Sequence, residues 1–126
     1  MTAPRVTVAI PTRNRAGFLR EAIESALAQS FADIEVLVCD NASADGTGEV
    51  VRSFQDPRLR YVRNDQDLGM VGNWNRCIEL ARGELIANLA DDDLMLPDRL
   101  ARQLAIFDAH PDTAVPHLHP RPLLPV

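Results

Sequence analysis

Apolar positions along the chain fall into runs of two kinds. The β-branched stretch Arg5-Val6-Thr7-Val8-Ala9-Ile10 stops at Pro11 and reads as a short buried strand running into a loop. Phe18, Leu19, Ala22, Ile23, Ala26 and Leu27 then recur at the spacing of one helix face. A second strand, Ile34 to Cys39, ends in the turn-forming run Asp40 to Gly46. A short helix from Thr47 to about Phe54 and a third strand, Leu59 to Arg63, follow. The polar segment Asn64 to Gly72 reads as a loop, and the next helix carries Trp74, Cys77, Ile78 and Ala81 on one side, with Gly83 as its stop. Glu84 to Leu89 is a fourth strand, and Pro97 opens a last helix with Leu100, Leu104 and Phe107 in register.

The order βαβαβαβα predicts an α/β fold: a three-layer αβα arrangement around a mostly parallel, Rossmann-like sheet. Residues 1–115 read as one unit, with Thr113-Ala114-Val115 beginning like a fifth strand. Residues 116–126 hold four prolines in eleven positions, a density that predicts a disordered or polyproline-like tail. The pattern therefore looks truncated after the fourth βα pair.

Composition narrows the function. The 126 residues include 13 Arg, no Lys and 18 Asp plus Glu, a formal charge of −5, which argues against a nucleic-acid binder or a polybasic membrane-surface protein. The lack of lysine excludes Schiff-base chemistry and a P-loop. No run approaches the roughly 18 apolar residues of a spanning helix, and there is no signal-type apolar core at the N-terminus. A cytoplasmic location is expected, compatible with peripheral contact at the inner face of a membrane. Cys39 and Cys77 lie in apolar-periodic segments and read as core residues.

Ligands of parallel α/β sheets bind outside the carboxyl ends of the strands, and the polar residues of interest gather there. Strand one ends in Pro11-Thr12-Arg13-Asn14, strand two in Asp40, strand three in Arg63-Asn64 and strand four in Asp91-Asp92-Asp93. Adjacent carboxylates repel, and such a cluster favours protonation or a hard divalent cation that fills its remaining positions with water and phosphate oxygens. On an extended chain Asp91 and Asp93 face one way and Asp92 the other; the alternative is a solvated acidic turn before the last helix. Asp40 either caps its turn or accepts an N–H from a nucleobase. Arg13 and Arg63 either meet phosphates or form surface ion pairs. Gly46-Thr47-Gly48 lacks the third glycine of a dinucleotide fingerprint, and His117-Leu118-His119 has no partner ligands nearby in sequence.

With these residues assembled, the chain resembles the nucleotide-binding half of family 2 glycosyltransferases of the GT-A fold. The resemblance rests on Val6 to Asn14, Val36 to Thr47, Asn64 to Gly69, Asn75 to Ile78, Ala81 to Glu84 and Ala90 to Leu100, in order over about residues 5 to 115. It implies that Pro11, Thr12 and Arg13 line a nucleoside pocket, with Asn64 and Asn75 alongside. It also implies that Asp40 accepts the N3–H of uracil or thymine, that Asp91 lies nearer the ribose or a water ligand, and that Asp92 and Asp93 hold Mn²⁺ or Mg²⁺, Asp92 by direct contact. Trp74 stands where an Arg often precedes the matching Asn.

The expected function is transfer of a sugar from a nucleotide donor, UDP- or dTDP-sugar favoured, to an unknown acceptor: a glycan, a lipid-linked molecule or a small molecule. The family's general base and acceptor half lie downstream, and no residue here matches that base. The competing expectation is a truncated or frameshifted fragment that binds nucleotide without turnover. A receiver-type phosphoacceptor is disfavoured by the missing lysine and by the position of the acidic cluster after the fourth strand.

Overall fold

The computed structural model describes residues 3–120. Five strands form one sheet in the order β3-β2-β1-β4-β5. In chain order the elements are β1 (Val6–Thr12), α1 (Ala16–Leu27), β2 (Ile34–Asp40), α2 (Thr47–Arg52), β3 (Leu59–Arg63), α3 (Gly69–Leu80), β4 (Leu85–Asn88), α4 (Arg99–Ala109) and β5 (Leu118–Pro120). The first four strands pair in parallel, and β5 pairs antiparallel to β4.

Side-chain parity sorts the interior into two layers. Val6, Val8 and Ile10 of β1 and Val36 and Val38 of β2 pack against Leu19, Ile23, Leu100 and Leu104 of α1 and α4. Ala9, Leu37, Cys39 and Ile86 face the other way and pack against Cys77 and Ile78 of α3. Both cysteines are thus buried core residues, and both are free thiols. Contact with Cys39, reinforced by burial, pushes the Cys77 thiol far up in pKa.

Four expectations shift. β1 runs through Pro11 to Thr12: β2 pairs with it along its whole length, whereas the β4 ladder ends at Ala9, so Pro11 interrupts no strand pairing on that side. α3 starts earlier than the glycines suggest, at Gly69, whose φ of 77° only glycine adopts freely. Gly83 does more than end a helix. A Cβ there would lie 2.5 Å from the Thr7 backbone nitrogen, so the α3–β4 turn can cross β1 only without a side chain.

The fourth correction concerns the tail. The disorder expected from residue 116 does not hold through Pro120. Val115 and Leu118 are buried in the first core layer, a turn with His117 at φ 60° joins them, and Leu118–Pro120 adds an edge strand to β4. Proline is tolerated there because an edge strand leaves one row of N–H positions unpaired. The remainder of the predicted tail, residues 121–126, lies outside the described residues.

Candidate functional site

β1 and β4 are neighbours whose following connections leave in opposite directions, to β2 on one side and to β5 on the other. At this switch point a parallel sheet opens a crevice between its loops. A cleft of about 550 Å³ lies there, walled by Pro11, Thr12, Arg13 and Arg15 after β1 and by Ala90 and Asp91 after β4. Asn41 after β2 forms its floor, with Asp67 and the start of α3 opposite. Two further hollows, one against the C-terminal segment and one at the amino ends of the strands, lie away from these residues.

The buried Thr12 hydroxyl donates to Asp91 Oδ2 at 2.8 Å, linking the ends of β1 and β4. Burial raises the Asp91 pKa above the ordinary aspartate range, against the lowering effect of the Thr12 hydrogen bond and the nearby Arg15 charge.

Asn14 separates two arginines that reach to different loops. It sits at φ 55°, a region asparagine tolerates better than most residues. Its N–H donates to Ser43 Oγ at 2.9 Å, and its Oδ1 accepts from the Ala44 N–H at 2.7 Å. The loop after β1 is thereby fastened to the loop after β2. From this anchored backbone Arg13 Nε donates to the Asn41 carbonyl at 3.2 Å and lies 3.4 Å from Asp67 Oδ2. Arg15 Nη1 lies 3.3 Å from Asp92 Oδ2, on the β4 side.

At the floor of the cleft three amides join the ends of β2 and β3 to α3. Asn41 Oδ1 accepts from the Leu68 N–H at 2.8 Å and from Asn64 Nδ2 at 3.1 Å, while its Nδ2 donates to Asp67 Oδ1 at 2.7 Å. Asn64 also donates to Asn73 Oδ1 at 2.9 Å, and Asn73 donates to the Cys39 carbonyl at 2.9 Å. All three are buried. Asn64 therefore supports the cleft from behind. Sequence reading missed Asn41, Asp67, Asn73 and Arg15.

Two predicted positions lie elsewhere. Asp40 is 1% exposed and does not line the cleft. Its Oδ1 accepts from the Ser43 N–H at 3.0 Å and its Oδ2 from the Tyr61 hydroxyl. Asp40 shares the parity of Val36 and Val38, which face α1 and α4, so of the two roles open to it the structure shows turn capping. Asn75 is half-buried on α3; Asn73 and Trp74 of that helix face the cleft instead. Arg63 bonds the carbonyls of Ser43 and Asn64, stitching two loops together.

The acidic run is a turn, with the Asp93 N–H donating to the Ala90 carbonyl at 3.1 Å, so the alternation of an extended chain does not apply. Asp91 faces the cleft, Asp92 pairs with Arg15, and the Asp93 charge acts on Arg99. Among the described residues no three His, Cys, Asp or Glu side chains form a metal cage. Two carboxylate neighbours instead suit a hard cation that takes its other ligands from water and phosphate.

The family model for "Glycosyl transferase family 2" matches residues 7–121. The succinoglycan biosynthesis protein ExoO of Rhizobium meliloti is 43% identical over 106 residues, covering 84% of this chain and 30% of that protein. A GalNAc(5)-diNAcBac-PP-undecaprenol beta-1,3-glucosyltransferase of Campylobacter jejuni is 39% identical over 101 residues, covering 78% of this chain and 33% of its own. The mannosyltransferase PcManGT of Pyrobaculum calidifontis, solved with GDP-Man and Mn²⁺, superposes with a TM-score of 0.76 at 31% identity, over 85% of this chain and 33% of that one. The chain spans about a third of the length of these relatives. The fold is of the GT-A glycosyltransferase type, and no helix among the described residues is long and apolar enough to cross a membrane. On the match over residues 7–121, the chain belongs to glycosyl transferase family 2.

Proposed function

We propose that this chain forms the donor-binding part of a glycosyltransferase that takes a sugar from a nucleoside diphosphate with the help of Mg²⁺ or Mn²⁺. The carrying observation is the Thr12–Asp91 hydrogen bond, which closes the cleft at the switch point and sets Asp91 and Asp92 beside Arg15. A bound divalent cation would supply neutralisation of the diphosphate charge as the sugar–phosphate bond breaks. Asp91 and Asp92 are the residues proposed to hold it, with phosphate oxygens completing the coordination.

The base end of the cleft is the corner formed by Asn41, Asp67 and Arg13. Asp67 Oδ1 accepts from Asn41 and from the Gly69 N–H at 2.8 Å, which leaves Oδ2 facing Arg13 and the cleft. A carboxylate there accepts the ring N–H of uracil or thymine, and of guanine, while cytosine presents no ring N–H at that edge. UDP-, dTDP- and GDP-sugars fit this acceptor. Pro11 and Thr12 wall the nucleoside between the two ends. None of the described residues is proposed as the general base that an inverting displacement needs within hydrogen-bond reach of the acceptor hydroxyl.

Calorimetric titration with UDP, dTDP and GDP, each with and without Mn²⁺, tests the reading on wild type and Asp92→Ala. Mn²⁺-dependent binding that Asp92→Ala weakens at least tenfold is expected. Absence of nucleotide binding in Mn²⁺ would overturn it.

A further inference from the structure

Arg15 and a divalent cation seek the same oxygens. The guanidinium lies 3.3 Å from Asp92 Oδ2, its charge acts on Asp91, and it forms part of the cleft wall. Its backbone is not free to drift. Asn14 is tied to Ser43 and Ala44, the Ala16 N–H donates to Asp45 Oδ2 at 3.1 Å, and the Arg15 carbonyl accepts from Phe18 and Leu19 at 3.0 Å as α1 begins. The side chain extends, half-exposed, from this anchored backbone.

We propose that Arg15 couples cation binding to diphosphate binding. This rests on the donor-site reading given above. The guanidinium neutralises the carboxylate pair and so competes with a divalent cation that arrives alone. A diphosphate arriving with the cation offers the guanidinium an anionic partner of better geometry, since planar guanidinium groups match phosphate oxygens two at a time. The competition is then relieved, and each ligand strengthens the other. Linkage requires the effect to be reciprocal: nucleotide raises cation affinity by the factor by which the cation raises nucleotide affinity. Arg15 makes this factor larger than charge attraction between the ligands alone would.

The test measures Mn²⁺ binding alone, from the electron paramagnetic resonance signal of free Mn²⁺, and nucleoside diphosphate binding with and without Mn²⁺. Wild type is compared with Arg15→Met and Arg15→Lys, each checked for an unchanged melting profile. Exposed ion pairs are worth up to about 1 kcal/mol, so Arg15→Met should bind Mn²⁺ alone about two- to fivefold more tightly. The same variant should bind diphosphate more weakly and show a smaller coupling factor, while Arg15→Lys should restore most of the competition. Unchanged or weaker Mn²⁺ binding in Arg15→Met overturns the proposal, as does parallel weakening of both ligands, which marks a purely structural role. Failure of the donor-site reading would look different: wild type would bind no diphosphate in Mn²⁺.

Discussion

Thr12 and Asp91 are 79 residues apart in sequence and joined by a 2.8 Å hydrogen bond between the ends of two adjacent parallel strands. Burial raises the Asp91 pKa, and the Thr12 hydroxyl partly offsets it by stabilising the ionised form. Because the folded pKa lies above the unfolded one, ionised Asp91 opposes folding at neutral pH, and the penalty is relieved as pH falls through the folded pKa. Thr12→Val should therefore raise the Asp91 midpoint further, seen in the pH dependence of its carboxyl carbon shift. It should also cost about 1 kcal/mol in urea unfolding and shift the pH at which Mn²⁺ binds upward. A midpoint in wild type at or below the ordinary aspartate value would refute the burial argument.

Asp40 supports the fold through two hydrogen bonds. Its carboxylate satisfies the Ser43 N–H and the Tyr61 hydroxyl inside the protein, so Asp40→Ala strands two polar groups and should destabilise the chain by about 3 kcal/mol. The milder Asp40→Asn keeps the acceptor for Ser43 and should leave the preference among UDP, dTDP and GDP unchanged. A well-folded Asp40→Asn that loses discrimination between nucleobases would return Asp40 to the role the sequence resemblance implied.

Tyr61 is the one tyrosine in the sequence, so its titration can be followed directly at the tyrosinate absorption band. Burial first, and then its hydrogen bond to Asp40, push its pKa up to about 12. The unfolded phenol ionises near pH 10, while the folded one keeps its proton. Tyr61 thus supports folding fully below about pH 10 by this difference alone, and that support declines as pH rises towards 12. Stability curves should fall across that window in wild type and fall less in Tyr61→Phe. A tyrosinate midpoint near 10 in the native protein would contradict the packing described.

Much of the fold was legible because burial imposes period. The two-residue period of Val6, Val8 and Ile10 and the three-to-four spacing of Leu19, Ala22, Ile23 and Ala26 are direct imprints of the layers they face. The same parity, carried one step past Val38, places Asp40 on the α1 and α4 side and Asn41 on the α3 side, a signal present in the sequence and overlooked in favour of the charged residue. Asp67 and Asn73 carried no such mark. Their role comes from a network of amides drawn from three separate elements, which only the tertiary fold brings together. The edge strand at Leu118 was masked by proline density, although Val115 and Leu118 were the apolar anchors that order it.

The acidic turn should divide by residue rather than act as a block. Asp92 pairs with Arg15, which lines the cleft, whereas Asp93 turns back through its N–H to Ala90 and its charge falls on Arg99. Arg99 in turn donates to the Asn88 carbonyl at 3.1 Å, at the end of β4. Asp92→Asn should therefore weaken Mn²⁺-dependent nucleotide binding at least tenfold with little change in melting temperature. Asp93→Asn should leave that binding within about twofold and cost at most a few tenths of a kcal/mol, the scale of an exposed charge pair. If Asp93→Asn proves as damaging to Mn²⁺-dependent binding as Asp92→Asn, the turn must rearrange to present both carboxylates to the cation, and the division of labour inferred from the Asp93–Ala90 hydrogen bond is wrong.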